Sequence, residues 1–183
     1  MLRVTNHRQA SVLRAVLELE HHVSSAGWDG PLRLFALIRT AAAIEADPDL
    51  ANRLPDDVVA AAQSDPEHLT AVEQDELPPI EDLEGLLHTI AWPAGVDGAA
   101  VVVERLVLPT EAEATMPEDP DAAKAWVAGH PQRQELRMAA AVLRDGTNGC
   151  AVRSRGLDVD SQVASGPDLV PGLIEALAST LRD

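Results

Sequence analysis

Hydrophobic residues recur at helical spacing through the first thirty positions of the chain. At about 100° per residue, one apolar face collects four residues and is widened by two leucines: Val12, Val16, Leu19 and Val23, with Leu13 and Leu17. Asn6 followed by Gln9 is a capping-box signal, and Gly27 is a typical residue just past a helix end. The pattern therefore predicts a helix from Asn6 to about Ser25.

Three later segments have the alternating or β-branched pattern of strands. "LRLFALIRT" alternates after an Asp29-Gly30-Pro31 turn, and "GAAVVVERLVLP", Gly98 to Pro109, is valine-rich enough to predict a central strand. "ELRMAAAVLRDGTNGCAVRSR" predicts a hairpin that turns at Asp145-Gly146. Its inward face on the first strand holds Leu136, Met138, Ala140 and Val142, and Cys150 and Val152 return on the second.

The connections between these strands predict further helices. A short alanine-rich helix follows Thr40, and Asp119 with Pro120 predicts another helix that ends at Gly129. The acidic, proline-broken segment 49–79 shows short helical pieces around Val58 to Gln63, and its structure stays open. Two more helices are indicated by apolar spacing: one carries Ile80, Leu83, Leu86, Leu87 and Ile90, and the last begins near Asp168 and carries Leu169, Leu173, Leu177 and Leu181.

This order of elements predicts a single α+β domain over residues 1–183. We expect an antiparallel β-sheet of about four or more strands, packed by the N-terminal and C-terminal helices, both on one side of the sheet. Extra short helices are expected in the 40–92 and 110–130 connections. At 183 residues and 46% hydrophobic content, the chain is long enough for one sizeable core.

Composition narrows the classes of function. A formal net charge of -16 opposes binding to nucleic acid and to anionic membrane surfaces, because both need lysine and arginine, and Lys124 is the single lysine. No run of apolar residues is long enough for membrane insertion, and no leader peptide is recognisable, so a cytoplasmic location is expected. Cys150 is the single cysteine, which rules out an intrachain disulfide.

The stretch "LELEHHVSSAGWDG", Leu17 to Gly30, concentrates residues that carry chemistry. Glu18, His21 and His22 fall on the polar face of the first helix, where a solvated ladder with Arg14 is the expected arrangement. Glu18 and His22 have acceptable spacing for a metal pair, but the sequence offers no third ligand, so no metal site is assigned.

Glu20, in contrast, falls within the apolar arc of the same helix, so its carboxylate should be buried with a partner or reach past the helix end. Glu104 and Arg105 interrupt the valine-rich strand and point to opposite faces, so one of them should face a helix layer. A buried carboxylate with arginine is a candidate binding or switch feature, and a structural ion pair is the alternative.

Motifs for catalysis or cofactors are missing. Cys150 has the position of a small core residue, no serine lies in a GxSxG turn, and neither GxGxxG nor a phosphate-binding loop occurs, so no catalytic residue and no cofactor is assigned. Trp126 is different, because an indole in an acidic connection is a candidate anchor for a protein partner.

Several segments, in this order, resemble a family of actinobacterial proteins without assigned activity: "SSAGWDGPLRLFALIRTA", "HLTAVEQDELP", "VVVERLVLP", "PEDP", "LRDG" and "GPDLVPGL". The resemblance covers nearly the whole chain and implies no catalytic residue. The layout of terminal helices around an antiparallel sheet is also similar to the type III secretion chaperone-like fold, whose members bind other proteins as dimers. That similarity is one of topology, which does not carry function by itself.

These observations favour a non-enzymatic protein-interaction or chaperone-like module, with a protein partner and a homodimer as one arrangement. The alternative is a small-molecule-binding protein or an unrecognised enzyme. The residues expected to contact a ligand or partner are Glu20, Trp28, Asp29, Arg33, Glu104, Arg105 and Trp126.

Overall fold

The computed structural model describes residues 2–78 and 82–182. Within them the chain forms a six-stranded antiparallel sheet in the order β2-β1-β3-β4-β5-β6. The strands are β1 Arg33–Arg39, β2 Leu69–Glu73, β3 Gly98–Val107, β4 Gln134–Leu143, β5 Asn148–Ser154 and β6 Ala164–Gly166. The helices are α1 Leu2–Ser24, α2 Thr40–Ala46, α3 Asp56–Ser64, α4 Leu83–His88, α5 Thr110–Glu113, α6 Pro120–Gly129 and α7 Pro171–Thr180. The α+β prediction is confirmed, including the short helices in both connections.

The two edge strands are the ones that the sequence pattern did not predict. β2 has only five residues, and its sequence, "LTAVE", is surrounded by acidic residues and prolines. β6 has three residues, which is too short for a period-2 pattern. Central strands bury both faces and therefore have a strong apolar signal, whereas short edge strands do not.

One face of the sheet is covered by α1. Its apolar residues, including Val12, Val16 and Leu19, form a single buried cluster with sheet residues such as Ala139 and Ala151. Small side chains on β4 and β5 allow the helix to approach closely. At Gly149 an added Cβ would lie 3.1 Å from the side chain of Leu13.

The opposite face is covered by α4 and α7. A second buried cluster packs leucines of these helices, among them Leu87 and Leu177, onto Leu34, Val101 and Val142 of the sheet. The expectation that both terminal helices pack on one side of the sheet is therefore wrong. The physical reason lies in β3 and β4, which carry small or apolar residues at both parities and need cover on both faces.

The observed helix ends confirm the predicted bounds of α6 and correct the predicted starts of α1 and α7. α6 begins at Pro120 and ends at Gly129 as predicted, with the Asp119 carboxylate accepting from the Ala122 N–H. α1 begins at Leu2 rather than at Asn6, and Gly27 follows its end with φ 86°. α7 begins at Pro171, because Asp168 has φ 55°, outside the helical region.

α4 is shorter than predicted. It begins at Leu83, where the Asp82 carboxylate caps the helix by accepting from the N–H groups of Glu84 and Gly85. Ile80, which was expected on its apolar face, lies outside the described residues. No helix in the described part of the chain has the length and apolar character needed to cross a membrane.

Candidate functional site

Glu20 is buried between α1 and the sheet, where it meets two arginines. Its carboxylate is 1% exposed and accepts two hydrogen bonds from Arg153 of β5, at 2.6 Å from Nε and 2.9 Å from Nη2. Arg137 of β4 approaches the same carboxylate at 3.4 Å. These three residues are called the Glu20 cluster below. A buried carboxylate held by two arginines explains how a charge is accommodated on the apolar face of α1.

Arg137 connects the Glu20 cluster to the turn after α1. Its guanidinium is fully buried and donates to the Gly27 carbonyl and, at 3.1 Å, to Oε1 of Glu104. The same group lies 4.3 Å from the centre of the Trp28 ring, in a cation–π arrangement. Its Nε has no hydrogen-bond partner among the described residues.

A second layer of charges surrounds the Glu20 cluster at the surface. Arg153 also donates to Asp158 at 3.2 Å and to Asp160 at 2.6 Å, and the Trp28 indole N–H donates to Asp158 at 2.9 Å. These contacts hold two short 3-10 turns, residues 155–157 and 160–162, against the end of the sheet.

Asp29 completes this arrangement in an unusual backbone conformation. It has φ 67°, its N–H donates to Oε2 of Glu104 at 2.7 Å, and its carboxylate accepts from both terminal nitrogens of Arg155 at 2.9 and 3.0 Å. Arg155 also donates to Glu135 at 2.6 Å. The Asp29-Gly30-Pro31 turn is therefore held at Asp29 by one side chain of β3 and by Arg155 of the first 3-10 turn.

The ion pairs shift the acid–base equilibria of the exposed carboxylates. The Trp28 indole and Arg153 lower the pKa of Asp158, Arg153 lowers the pKa of Asp160, and Arg155 lowers the pKa of Asp29. In each case the folded state stabilises the charged form, so the hydrogen bond to a donor outweighs the partial loss of solvent.

The pKa shift of Asp158 predicts a pH-dependent contribution to stability. A lowered pKa contributes stability that is fully present above the unfolded value, about 3.9, and is lost as the pH falls through the folded value. We expect Asp158→Asn to be less stable than the wild type at pH 7, with a difference that shrinks below about pH 4. Urea denaturation of both proteins across this range measures it. Glu175→Gln, which removes one exposed carboxylate of α7, is the control for the loss of a negative charge, and an Asp158→Asn difference that grows on acidification would contradict the assignment.

Two other predicted site residues lie elsewhere. Arg33 pairs with Glu73 of β2 through two hydrogen bonds of 2.5 and 2.6 Å, and Arg105 is exposed on the opposite face of the sheet, without an ion pair in the described part of the chain. Arg33 and Glu104 line the same cavity, but its volume is about 140 Å³, too small for most organic ligands. The structure thus brings together Glu20, Trp28, Asp29 and Glu104, and leaves Arg33 and Arg105 outside this group.

The polar face of α1 is exposed as predicted, but the expected ladder is wrong. Arg14 donates to Asp65 at 3.2 Å instead of to Glu18, and Glu18 forms no ion pair with a described residue. His21 lies 3.6 Å from Asp160. In the described residues, no three histidine, cysteine or acidic side chains are grouped as a metal site requires, so Glu18 and His22 gain no third ligand.

Trp126 and Cys150 lie outside the Glu20 cluster. Trp126 is half-buried on α6, with its ring 4.7 Å from the ring of His130 in an edge-to-face contact. Cys150 is fully buried, and burial raises the pKa of its thiol, which is the opposite of the shift that activates a nucleophile.

The arginines Arg137, Arg153 and Arg155 were not identified from the sequence. The apolar alternation in the hairpin predicted one inward face, that of Met138 and Ala140, and no prediction was made for the side chains of the other parity. A signal was present, because Ala139, Ala141 and Ala151 share the parity of Arg137 and Arg153 and indicate that a helix covers that face.

A groove lies between α1 and the edge strand β2, next to the contacts that fasten these elements. Its volume is about 310 Å³ and it is lined by Ala15, Glu18, Leu19, His22, Phe35, Leu69, Ala71 and Glu73. It is called the β2 groove below. At one end, Arg8 pairs with Glu67 at 2.9 Å and Ser11 donates to Asp65 at 2.9 Å, which fixes the start of β2 beneath the helix. The floor of the groove is apolar and its rim is charged.

The backbone of β2 has one open side next to the β2 groove. Thr40 N–H donates to the His68 carbonyl and Gln74 N–H donates to the Leu34 carbonyl, in the same register as the β1–β2 pairing. Residues that share their parity, Thr70 and Val72, therefore direct their backbone groups toward β1. The backbone groups of Leu69, Ala71 and Glu73 point outward, to the side where no described strand neighbours β2.

A larger groove, of about 620 Å³, lies beside the 3-10 turn of residues 155–157. Its charged lining includes Arg155 and Glu135, which pair with each other at 2.6 Å. Arg155 also bonds to Asp29. This groove is therefore polar, but the side chains of Arg155 and Glu135 are already paired within the fold.

Comparison with known proteins identifies a family. A family model described as PPA1309-like protein matches residues 12–182. No curated protein and no solved structure matches the chain. The matched range includes the Glu20 cluster and all residues that line the β2 groove.

Proposed function

Since the chain belongs to the PPA1309-like protein family, a family of unknown function, we propose its function from its surface geometry: a protein-interaction module that binds an extended segment of a partner protein along β2. The single observation that carries this proposal is the open backbone edge of β2 beside an apolar groove. Strand addition of this kind uses main-chain hydrogen bonds for affinity and adjacent pockets for side-chain selection.

The edge of β2 is well placed to accept a strand. Exposed edge strands are commonly shielded by proline, by lysine or by a covering element, because an open edge pairs readily with other chains. β2 contains neither proline nor lysine, and Val72 is 44% exposed on the face away from α1. An added strand would extend the sheet and cover this residue.

The small-molecule alternative has less support. Arg153 forms short ion pairs with Glu20 and with Asp160, so the carboxylates around it already have partners, which is the arrangement of a structural network. The cavity beside it is small, and its charged lining residues, Arg33 and Glu104, already have partners within the fold. We therefore place the ligand-binding surface at the β2 groove, and a cytoplasmic location remains part of the proposal.

Ala71→Pro tests the proposed edge. The Ala71 N–H points outward, so proline should leave the β1–β2 pairing intact while it removes one donor and obstructs strand addition. The probe is a peptide selected from a random display library on the immobilised protein, with binding followed by fluorescence anisotropy. We expect at least about a tenfold loss of affinity in Ala71→Pro, with a thermal transition close to that of the wild type.

Peptide backbone methylation provides the matched control for this experiment. N-methylation of residues that face β2 should abolish binding, whereas methylation of the alternate residues should be tolerated, because only one set of amides pairs with an edge strand. Undiminished binding to Ala71→Pro, or equal sensitivity of both methylation patterns, would overturn the proposed function.

A further inference from the structure

We infer that the β2 groove selects a partner segment with an apolar side chain opposite Ala71 and a lysine or arginine two residues away on either side. This inference rests on the proposed function and specifies the chemistry of the partner. It comes from the parity of β2, from the lining of the groove and from the charges on its rim.

The parity of β2 determines which partner residues face the groove. Side chains of residues directly opposite each other in an antiparallel pair lie on the same face of the sheet. Ala71 and Leu69 face α1 and pack with its cluster, so the partner residue opposite Ala71 also faces α1. Its neighbours on either side point to the other face, beside the exposed Val72.

The floor of the groove favours an apolar side chain at this central position. Leu19 of α1 and Phe35 of β1 are both buried and line the groove, and the small side chain of Ala71 leaves room above the strand. An apolar side chain there would be removed from water and would contact these residues, which is favourable in proportion to the area buried.

The rim of the groove favours positive charge. α1 runs beside β2. Its Arg14 bonds to Asp65 at one end, and its His22 interacts with the Glu73 carboxylate at the other. Glu18, midway between them on α1, therefore lies above the middle of the groove. Glu18 is exposed and has no ion-pair partner among the described residues. A basic side chain two residues from the central one would therefore meet the Glu18 carboxylate.

More acidic residues continue beyond the end of β2. Asp75 and Glu76 follow it and are exposed. The formal net charge of -16 further favours a basic segment, because it attracts a positively charged partner over longer distances. Both these acidic residues and the net charge would repel a partner with acidic flanking residues.

A second copy of the chain does not fit this pattern. If two β2 strands paired around Ala71, Leu69 of each copy would lie opposite Glu73 of the other, and the sequence "LTAVE" contains no basic residue. Two chains of the same strong negative charge would also repel each other. A basic segment of another protein is thus the occupant that the rim charges favour.

The experiment compares blocked peptides of one palindromic design, so that either strand direction presents the same side chains. The parent is Ser-Lys-Thr-Val-Thr-Lys-Ser, one variant replaces both lysines with glutamate, and another replaces the central valine with serine. At low salt we expect the glutamate peptide to bind roughly threefold to tenfold more weakly, and the serine peptide about tenfold more weakly.

Glu18→Lys provides the decisive variant. It should weaken the lysine peptide and strengthen the glutamate peptide, and thus reverse the preference. Glu175→Lys makes the same change in net charge on α7, on the opposite face of the sheet, and should preserve the preference. High salt should reduce the difference between the peptides.

The outcomes separate this inference from the proposed function. If Ala71→Pro abolishes binding while Glu18→Lys leaves the peptide preference unchanged, the edge binds segments without this selectivity and the inference is overturned. If no peptide loses affinity for the Ala71→Pro variant, the proposed function itself is overturned. A dimer of twice 19.4 kDa by light scattering that Ala71→Pro dissociates would overturn the inference in favour of a second copy.

Discussion

Replacing Glu20 with alanine is expected to lower the free energy of unfolding by about 3–5 kcal/mol, because it removes the buried counter-charge that two arginines share and leaves them only with more exposed carboxylates. Arg153 would lose two hydrogen bonds of 2.6 and 2.9 Å, and Arg137 would lose its contact with the same carboxylate. Both guanidiniums are almost fully buried, so water cannot replace the lost carboxylate. Urea denaturation at neutral pH measures the change.

Glu135→Ala is the matched control for Glu20→Ala. Glu135 also bonds to an arginine at 2.6 Å, but both side chains of this pair are partly exposed, so its removal should cost no more than about 1 kcal/mol. Equal costs for the two substitutions would show that burial does not distinguish the ion pairs, and would contradict the central position of Glu20 in the network.

Leu177→Ala is expected to cost about 2–5 kcal/mol, the range for removing most of a buried leucine side chain. Leu177 is fully buried on α7 and packs onto the sheet face opposite α1, in a cluster with Leu34 and Val142. Thermal and urea unfolding measure the loss. Leu169→Ala is the control, because Leu169 is largely exposed and its removal should cost less than about 1 kcal/mol.

The two destabilising variants also test the prediction of a single domain. α1 and α7 pack on opposite faces of the same sheet, so the loss of either packing layer should lower one cooperative transition. Coincident unfolding curves from circular dichroism and tryptophan fluorescence in both variants are the expected result. A second transition in either variant would show that one helix layer unfolds separately.

The position of Glu20 on the core side of α1 was predictable, but its partners were not. Helical periodicity is a property of the local backbone, so the angle of Glu20 on the helical wheel left two outcomes, burial with a partner or a carboxylate that reaches past the helix end, and the structure shows the first. Arg137 and Arg153 are 117 and 133 residues away in the chain, and they reach Glu20 only through the packing of α1 across β4 and β5. Helical spacing contains no information about such distant pairs.

In the candidate site, too, the sequence identified individual residues but not the residues that they contact. Trp28, Asp29 and Glu104 were selected because they stand at element ends or interrupt an apolar strand, and the structure places them in one network with Glu20. Arg33 and Arg105 were selected by the same reasoning and lie apart. Alternation along a strand assigns a side chain to a face, but the neighbouring strands determine what it meets there.

The β2 groove could not have been found by sequence reasoning. It depends on β2 being an edge strand, on the angle at which α1 crosses the sheet, and on the ion pairs of Arg8 and Arg14 at one end of the strand. A five-residue strand between acidic segments has little local signal, because its stability comes from pairing with β1 rather than from its own residues.

Amphipathic spacing along the chain and turn chemistry were sufficient for the α+β class, for the four longer strands and for the helices apart from the four-residue α5, since these features follow from short-range signals. The placement of the two terminal helices on opposite faces, the arginines around Glu20 and the open edge of β2 depended on long-range packing. These features depend on contacts between residues far apart in the chain, and such contacts form only when the complete sheet buries both of its faces.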